Sequence, residues 1–74
     1  MLYTRHARKR MRTRLISPAQ VESVYRDYET AVPGLCGCRN YFKAFPEERR
    51  KIRITIAETP AGPLVVTVTE DPLP

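Results

Sequence analysis

One histidine and two arginines recur at every fourth position near the start of the chain. His6, Arg10 and Arg14 would share one stripe of a helix, because residues four apart lie on the same helix face. Metal-free RNA cleavage needs a base for the ribose 2′-hydroxyl, an acid for the leaving oxygen and cations at the phosphate. Histidine titrates near neutral pH, and arginine can hold a phosphate at two points. The stripe, together with Arg53 from a predicted strand, is therefore a candidate catalytic site.

Each of these side chains also has a structural interpretation, which the sequence leaves open. His6 lies near a predicted helix start, where its ring could cap a neighbouring strand or pack against Tyr3. Arg10 and Arg14 could instead pair with carboxylates, since a guanidinium beside an apolar stripe commonly finds one. The candidate carboxylates of the second helix and the sheet are Glu22, Asp27 and Glu58.

The positive charge of the chain is concentrated in its first 21 residues. The sequence of 74 residues contains 13 lysines and arginines and 8 aspartates and glutamates, a net charge of +5. Six of the basic residues and none of the acidic ones precede Glu22, so this segment sums to +6 and the remainder to −1. Such asymmetry indicates a polyanionic partner, which is RNA, the ribosome or an acidic protein. The predicted RNA contacts beyond the stripe are Arg5, Arg8, Lys9, Arg12, Tyr41 and Lys43.

The two cysteines form a single Cys-Gly-Cys sequence at positions 36–38. A disulfide across one residue is strained, and a zinc site usually needs four ligands, for which His6 is the only other good candidate. We therefore expect Cys36 and Cys38 to be loop thiols, with no metal and no cofactor. No apolar run approaches the ~20 residues that span a bilayer, and no secretory signal is recognisable. We expect a cytoplasmic protein without a membrane partner.

Apolar spacing predicts two helices followed by strands. Apolar residues at every fourth position predict a helix over 5–15, and the capping box of Ser17 and Gln20 begins a second over 18–31. After Pro33 the apolar residues alternate, as they do in strands. The predicted strands are 39–45, 51–59 and 64–70, with Leu2-Tyr3 as a candidate edge strand.

These elements predict an α+β fold in which two N-terminal helices pack on a three- to four-stranded antiparallel β-sheet. The length suits a single domain over 1–70, followed by a Pro-rich tail over 71–74. The expected core comprises Ala7, Met11, Leu15, Val21, Val24, Tyr25, Tyr28, Ile52, Ile54, Ile56, Leu64, Val66 and Val68.

The stretch from Tyr3 to Ser17 resembles the opening of a widespread bacterial domain-of-unknown-function family, whose pattern is H-A-x-x-R-M-x-x-R-x-I followed by a capped helix. That family is grouped with the RelE and BrnT toxin superfamily. The positions that fall on the pattern are His6, Ala7, Arg10, Met11, Arg14 and Ile16. Segment 64–69 is similar to the family's terminal strand, whereas Leu15, where the family often has glycine, and the Cys-Gly-Cys loop depart from it.

The resemblance implies a RelE-like fold and a type II toxin, which would cut RNA as an endonuclease without a metal and be held inactive by an acidic antitoxin. Two other functions fit the same residues. One is a non-catalytic domain of the same fold that binds nucleic acid or ribosomes. The other is an interaction module whose basic helix docks an acidic partner.

Overall fold

Two helices cover one face of a five-stranded sheet in the computed structural model, which describes residues 1–74. The helices are α1 (Arg5–Arg14) and α2 (Pro18–Arg26). The strands are β1 (Leu2–Tyr3), β2 (Thr30–Pro33), β3 (Arg39–Phe45), β4 (Arg50–Thr59) and β5 (Gly62–Pro72). The predicted α+β fold is confirmed. At ten and nine residues, the helices lack the length and the apolar character that crossing a bilayer requires.

The sheet is mixed and has five strands, which corrects the prediction of a three- to four-stranded antiparallel sheet. Its order is β1-β5-β4-β3-β2, and only the β1–β5 pair is parallel. The candidate edge strand at Leu2-Tyr3 is present, but two residues are too few to reveal a direction. Its parallel direction comes from pairing with β5, where Leu2 lies opposite Leu64. β5 also extends over Asp71 and Pro72, which composition alone places in the tail.

β2 occupies a segment whose first residues were predicted to end the second helix. Tyr28 continues the apolar spacing of α2, yet the helix ends at Arg26. The Tyr28 ring packs edge-on against Tyr41 of β3, with ring centroids 5.1 Å apart. The backbone N–H of Glu29 then donates to the carbonyl of Phe42 (2.8 Å) beside the β2–β3 ladder. Tyr28 can thus satisfy a helical pattern while lying outside the helix.

Side-chain caps fix where both helices begin. The Thr4 hydroxyl accepts from the N–H of Ala7 (3.0 Å) and donates to the carbonyl of Val66 (2.8 Å), so it also ties α1 to β5. The predicted capping box of α2 is confirmed. The N–H of Gln20 donates to the Ser17 hydroxyl (3.1 Å), and the Gln20 side chain accepts from the Ser17 N–H (3.0 Å).

The buried core lies between the helices and the inner face of the sheet. Its apolar members are Ala7, Met11, Ile16, Val21, Val24, Tyr41, Ile52, Ile54, Ile56, Val65 and Val68. Two residues of the expected core are exposed instead, Leu15 (82%) and Tyr28 (48%). Leu15 leaves the helical conformation and ends α1 at φ 55° and ψ 50°, so the next residue, Ile16, turns inward over Met11.

Tyr25, also expected in the core, is half-buried and packs against its edge. A bulge in β5 explains two further differences in the core. The β4–β5 register shifts between Thr55 and Ile56, which leaves Val66 as an extra residue in β5. Leu64 and Val66, both expected in the core, are therefore only half-buried. Val65 is fully buried in their place. Alternation of apolar residues in the sequence does not reveal where the register between two strands shifts.

Replacing Leu15 with glycine is expected to stabilise the protein by about 1 kcal/mol, because a left-handed conformation strains any residue that has a Cβ. Leu15 is 82% exposed, so little apolar burial is lost. A gain of this size raises the melting temperature of a small domain by about 4–8 °C. Thermal unfolding followed by circular dichroism measures it. Leu15→Val should lower the melting temperature, because valine is β-branched. A lower melting temperature for Leu15→Gly would contradict the left-handed conformation of residue 15.

Candidate nucleic-acid interface

The outer surface of α1 carries unpaired basic side chains. Ala7 and Met11 face the sheet and are buried. The other residues of α1 lie on its flanks and on its outer surface. Arg10 is half-buried; the exposed basic residues are Arg5, Arg8, Lys9, Arg12 and Arg14. Both salt bridges of the structure belong to Arg50 on β4. Pairing of Arg10 and Arg14 with carboxylates, the structural alternative, is therefore not observed.

Only some of these basic residues stabilise α1 itself. Arg12 and Arg14 lie in the last turn, where cations interact favourably with the partial negative charge of the helix C-terminus. The first turn contains no acidic residue, although a carboxylate would be favourable there. Arg5 occupies that turn instead. No i,i+4 acid–base pair is available within α1 to offset the repulsion among its cations.

His6 lies one turn before Arg10 on the same flank of α1, and it is exposed. No hydrogen bond or ion pair to another side chain holds its ring, and it does not cap a strand. Its imidazole is thus open to a ligand, with the guanidinium of Arg10 beside it along the helix. The predicted stripe exists as a surface flank of α1.

Arg53 does not join that flank. It alternates along β4 with Ile52 and Ile54, which are fully buried beneath the helices, so Arg53 points to the opposite face of the sheet. Its neighbours there are Phe42 and Thr69 on the adjacent strands. The expectation that all four candidate residues converge is therefore corrected, because the thickness of the sheet separates them.

Tyr41 and Lys43 face the helices, which corrects their prediction as RNA contacts. Tyr41 is 9% exposed and packs edge-on against Tyr25, at 5.3 Å between ring centroids. The Lys43 ammonium donates to the Ser23 hydroxyl of α2 (2.8 Å) and lies 5.8 Å from the centre of the Phe45 ring. Both side chains are occupied by the packing of α2 on β3.

Phe42 is the aromatic residue on the open face of the sheet, and it was not predicted as a site residue. It is half-buried, directly opposite Arg53, and no helix covers it. The alternation of side chains along β3 predicts that Phe42 and Tyr41 lie on opposite faces of the sheet. Which of the two faces water depended on knowing where the helices pack.

Arg50 was not among the site residues predicted from the sequence, yet it forms more side-chain hydrogen bonds than any of them. It is buried, and its guanidinium donates to the carbonyls of Arg14 (2.7 Å) and Leu15 (2.8 Å) at the end of α1. It also bonds the carboxylates of Glu48 (2.8 Å) and Glu70 (3.1 Å). Arg50 begins β4, so it links that strand to the end of the basic helix and fixes the direction of α1.

A groove of about 710 Å³ runs along the other flank of α1. Met11 and Ile16 contribute apolar surface to it, and Arg8 and Arg12 line it from one helix face. The hydroxyl of Tyr3 is buried nearby without a hydrogen-bond partner. Burial, and to a lesser extent Glu22, raises the pKa of Tyr3. The Tyr3 hydroxyl therefore remains a neutral hydrogen-bond donor.

The chain matches no protein-family model, no curated protein and no solved structure. No group of three or more His, Cys, Asp or Glu side chains is placed to hold a metal ion.

Proposed function

We propose that this protein binds RNA through the outer surface of α1. The observation that carries the proposal is the exposed set of Arg5, Arg8, Lys9, Arg12 and Arg14, none of which has a carboxylate partner. Phosphates supply the missing negative charge at regular spacing, and their neutralisation releases counterions from the nucleic acid. Four of the five cations are arginine, which grips a phosphate through two parallel hydrogen bonds.

The expected result for Arg5→Gln/Lys9→Gln/Arg12→Gln is weaker RNA binding with a shallower salt dependence. Each phosphate contact contributes about −0.7 to the slope of log K against log salt for a single strand. Loss of three contacts should therefore flatten the slope by about 2. Fluorescence anisotropy with a labelled single-stranded RNA, across a series of salt concentrations, measures both quantities.

A matched control removes the same charge elsewhere. Arg26, Arg39 and Arg49 are exposed and lie outside α1, so Arg26→Gln/Arg39→Gln/Arg49→Gln lowers the net charge equally. An equal loss of affinity in this control would mean that net charge, and not α1, drives binding. Binding of poly-glutamate in place of RNA would favour the acidic-partner alternative, for which the groove between Arg8, Arg12 and Met11 offers a mixed apolar and basic surface.

A second and more specific proposal is that the bound RNA is cut, as the resemblance to the RelE and BrnT toxin superfamily implies. The order of two helices followed by antiparallel strands fits a RelE-like fold, and we include that fold in the proposal. The exposed and unpartnered ring of His6, with Arg10 one turn away, favours it. His6 would take the proton of the 2′-hydroxyl as its oxygen attacks the phosphorus, and the bond from phosphorus to the 5′-oxygen would break as that oxygen takes a proton from water.

His6→Ala is expected to abolish cleavage while changing RNA affinity only slightly, because the five exposed cations of α1 remain in place to bind phosphates. Gel analysis of end-labelled RNA, with and without a chelator, measures cleavage and its independence of metal ions. Equal cleavage by wild type and His6→Ala would exclude His6 as the base. RNA binding without cleavage in either protein would leave the non-catalytic function. A short acidic protein that blocks α1 would supply the proposed antitoxin.

A further inference from the structure

The loop between β2 and β3 carries both cysteines on a tight, hydrogen-bonded turn. The N–H of Cys38 donates to the carbonyl of Leu35 (3.0 Å), and the N–H of Gly34 donates to the carbonyl of Cys38 (2.8 Å). The two residues at the centre of the turn, Cys36 (φ 54°) and Gly37 (φ 77°), are both left-handed. The backbone path from Cys36 to Cys38 is therefore short and fixed.

Both thiols are free and accessible. Cys36 is exposed and Cys38 is half-buried. The loop belongs to the β2–β3 edge of the sheet, three strands from β1, and α1 packs on β5. The proposed RNA surface and the core thus use neither sulfur, which leaves two soft ligands at one turn without an assigned role.

The number of ligands that the two cysteines provide limits which metal ions they could bind. A disulfide between cysteines separated by one residue is strained. Zinc requires about four ligands, and no third His, Cys, Asp or Glu side chain completes a cluster with these two. Thiolates favour Cu(I), zinc and iron–sulfur clusters. Among these, Cu(I), a soft monovalent ion with a closed d shell, is the one for which two thiolates form a complete ligand set.

We propose that Cys36 and Cys38 form a two-coordinate site for Cu(I). Binding breaks two S–H bonds, forms two Cu–S bonds and releases two protons, and no electron is transferred. The product carries one negative charge. Arg39, exposed and without a salt bridge, follows Cys38 directly and can offset that charge. Cys36 is exposed at the centre of the turn, so solvent and a metal ion can reach its thiol.

The test is a competition between the reduced protein and a coloured Cu(I) chelator under anaerobic conditions. The protein is expected to withdraw one equivalent of Cu(I) and to lose two thiols that react with Ellman's reagent. Cys36→Ser and Cys38→Ser should each abolish the withdrawal. Their melting temperatures should match that of the wild type, because neither side chain lies in the core. His6→Ala is the control and should bind Cu(I) as the wild type does.

Several outcomes would overturn the proposal. Retained binding in either serine variant would show that one thiol suffices, and loss of binding in His6→Ala would move the site to α1. Half an equivalent of Cu(I) with a dimer in size-exclusion chromatography would mean that two chains share the ion. No withdrawal from the chelator by the wild-type protein would exclude the site altogether.

Discussion

Arg50→Met is expected to bring the protein close to its unfolding midpoint at room temperature, with about half of the molecules unfolded. Arg50 is 9% exposed and bonds two carboxylates and the last carbonyls of α1. Removing one partner from a buried ion pair costs about 3–5 kcal/mol, because the groups that remain lose their hydrogen bonds in a site that water reaches poorly. A domain of this size has only roughly 3–5 kcal/mol of net stability.

Urea unfolding followed by circular dichroism measures the loss for Arg50→Met. The neighbouring Arg49→Met is a matched control, because Arg49 is exposed and forms no ion pair. It should change stability by less than about 0.5 kcal/mol. Arg50→Lys should fall between the two, since an ammonium keeps the charge but cannot reach acceptors on both sides as a guanidinium does. Equal stability of Arg50→Met and wild type would mean that water replaces the guanidinium without cost.

Ile54→Ala is expected to destabilise the protein by about 2–5 kcal/mol, through lost apolar burial and the cavity left behind. Ile54 is fully buried at the centre of β4, between Tyr41 and Val68 on the neighbouring strands. Leu35→Ala removes a similar apolar volume from a residue that is 87% exposed, and it should have little effect. Thermal unfolding of both variants makes the comparison. An unchanged melting temperature for Ile54→Ala would place Ile54 outside the core.

Local patterns predicted the elements whose signals are strong and self-contained. The isoleucines of β4 alternate, and the capping box at Ser17 begins α2 where expected. Other features depend on partners that are distant in sequence. Tyr28 fits the spacing of α2 but packs on Tyr41, and the bulge at Val66 exists only in the register between β5 and β4. Such outcomes are decided by tertiary packing and not by propensity.

The candidate site was predictable only in part for the same reason. The stripe of His6, Arg10 and Arg14 needs nothing beyond the period of one helix. Arg53 was included in the predicted site although the alternation of the isoleucines along β4 places it on the face opposite the helices. Arg50 continues their alternation at the start of β4, yet its charge suggests a solvent position. Only the carbonyls at the end of α1 and the two nearby carboxylates make its burial favourable.

The parallel pairing of β1 with β5 has a consequence for how the chain acquires its structure. The hydroxyl of Thr4 bonds the carbonyl of Val66, a sequence separation of 62 residues. α1 packs chiefly on β5, which is the last strand to be synthesised. Ala7 and Met11 therefore stay exposed on the nascent chain until β5 has emerged. Closing this long loop raises the contact order and slows folding, so a chaperone that shields the early amphipathic helix would increase the yield of native protein.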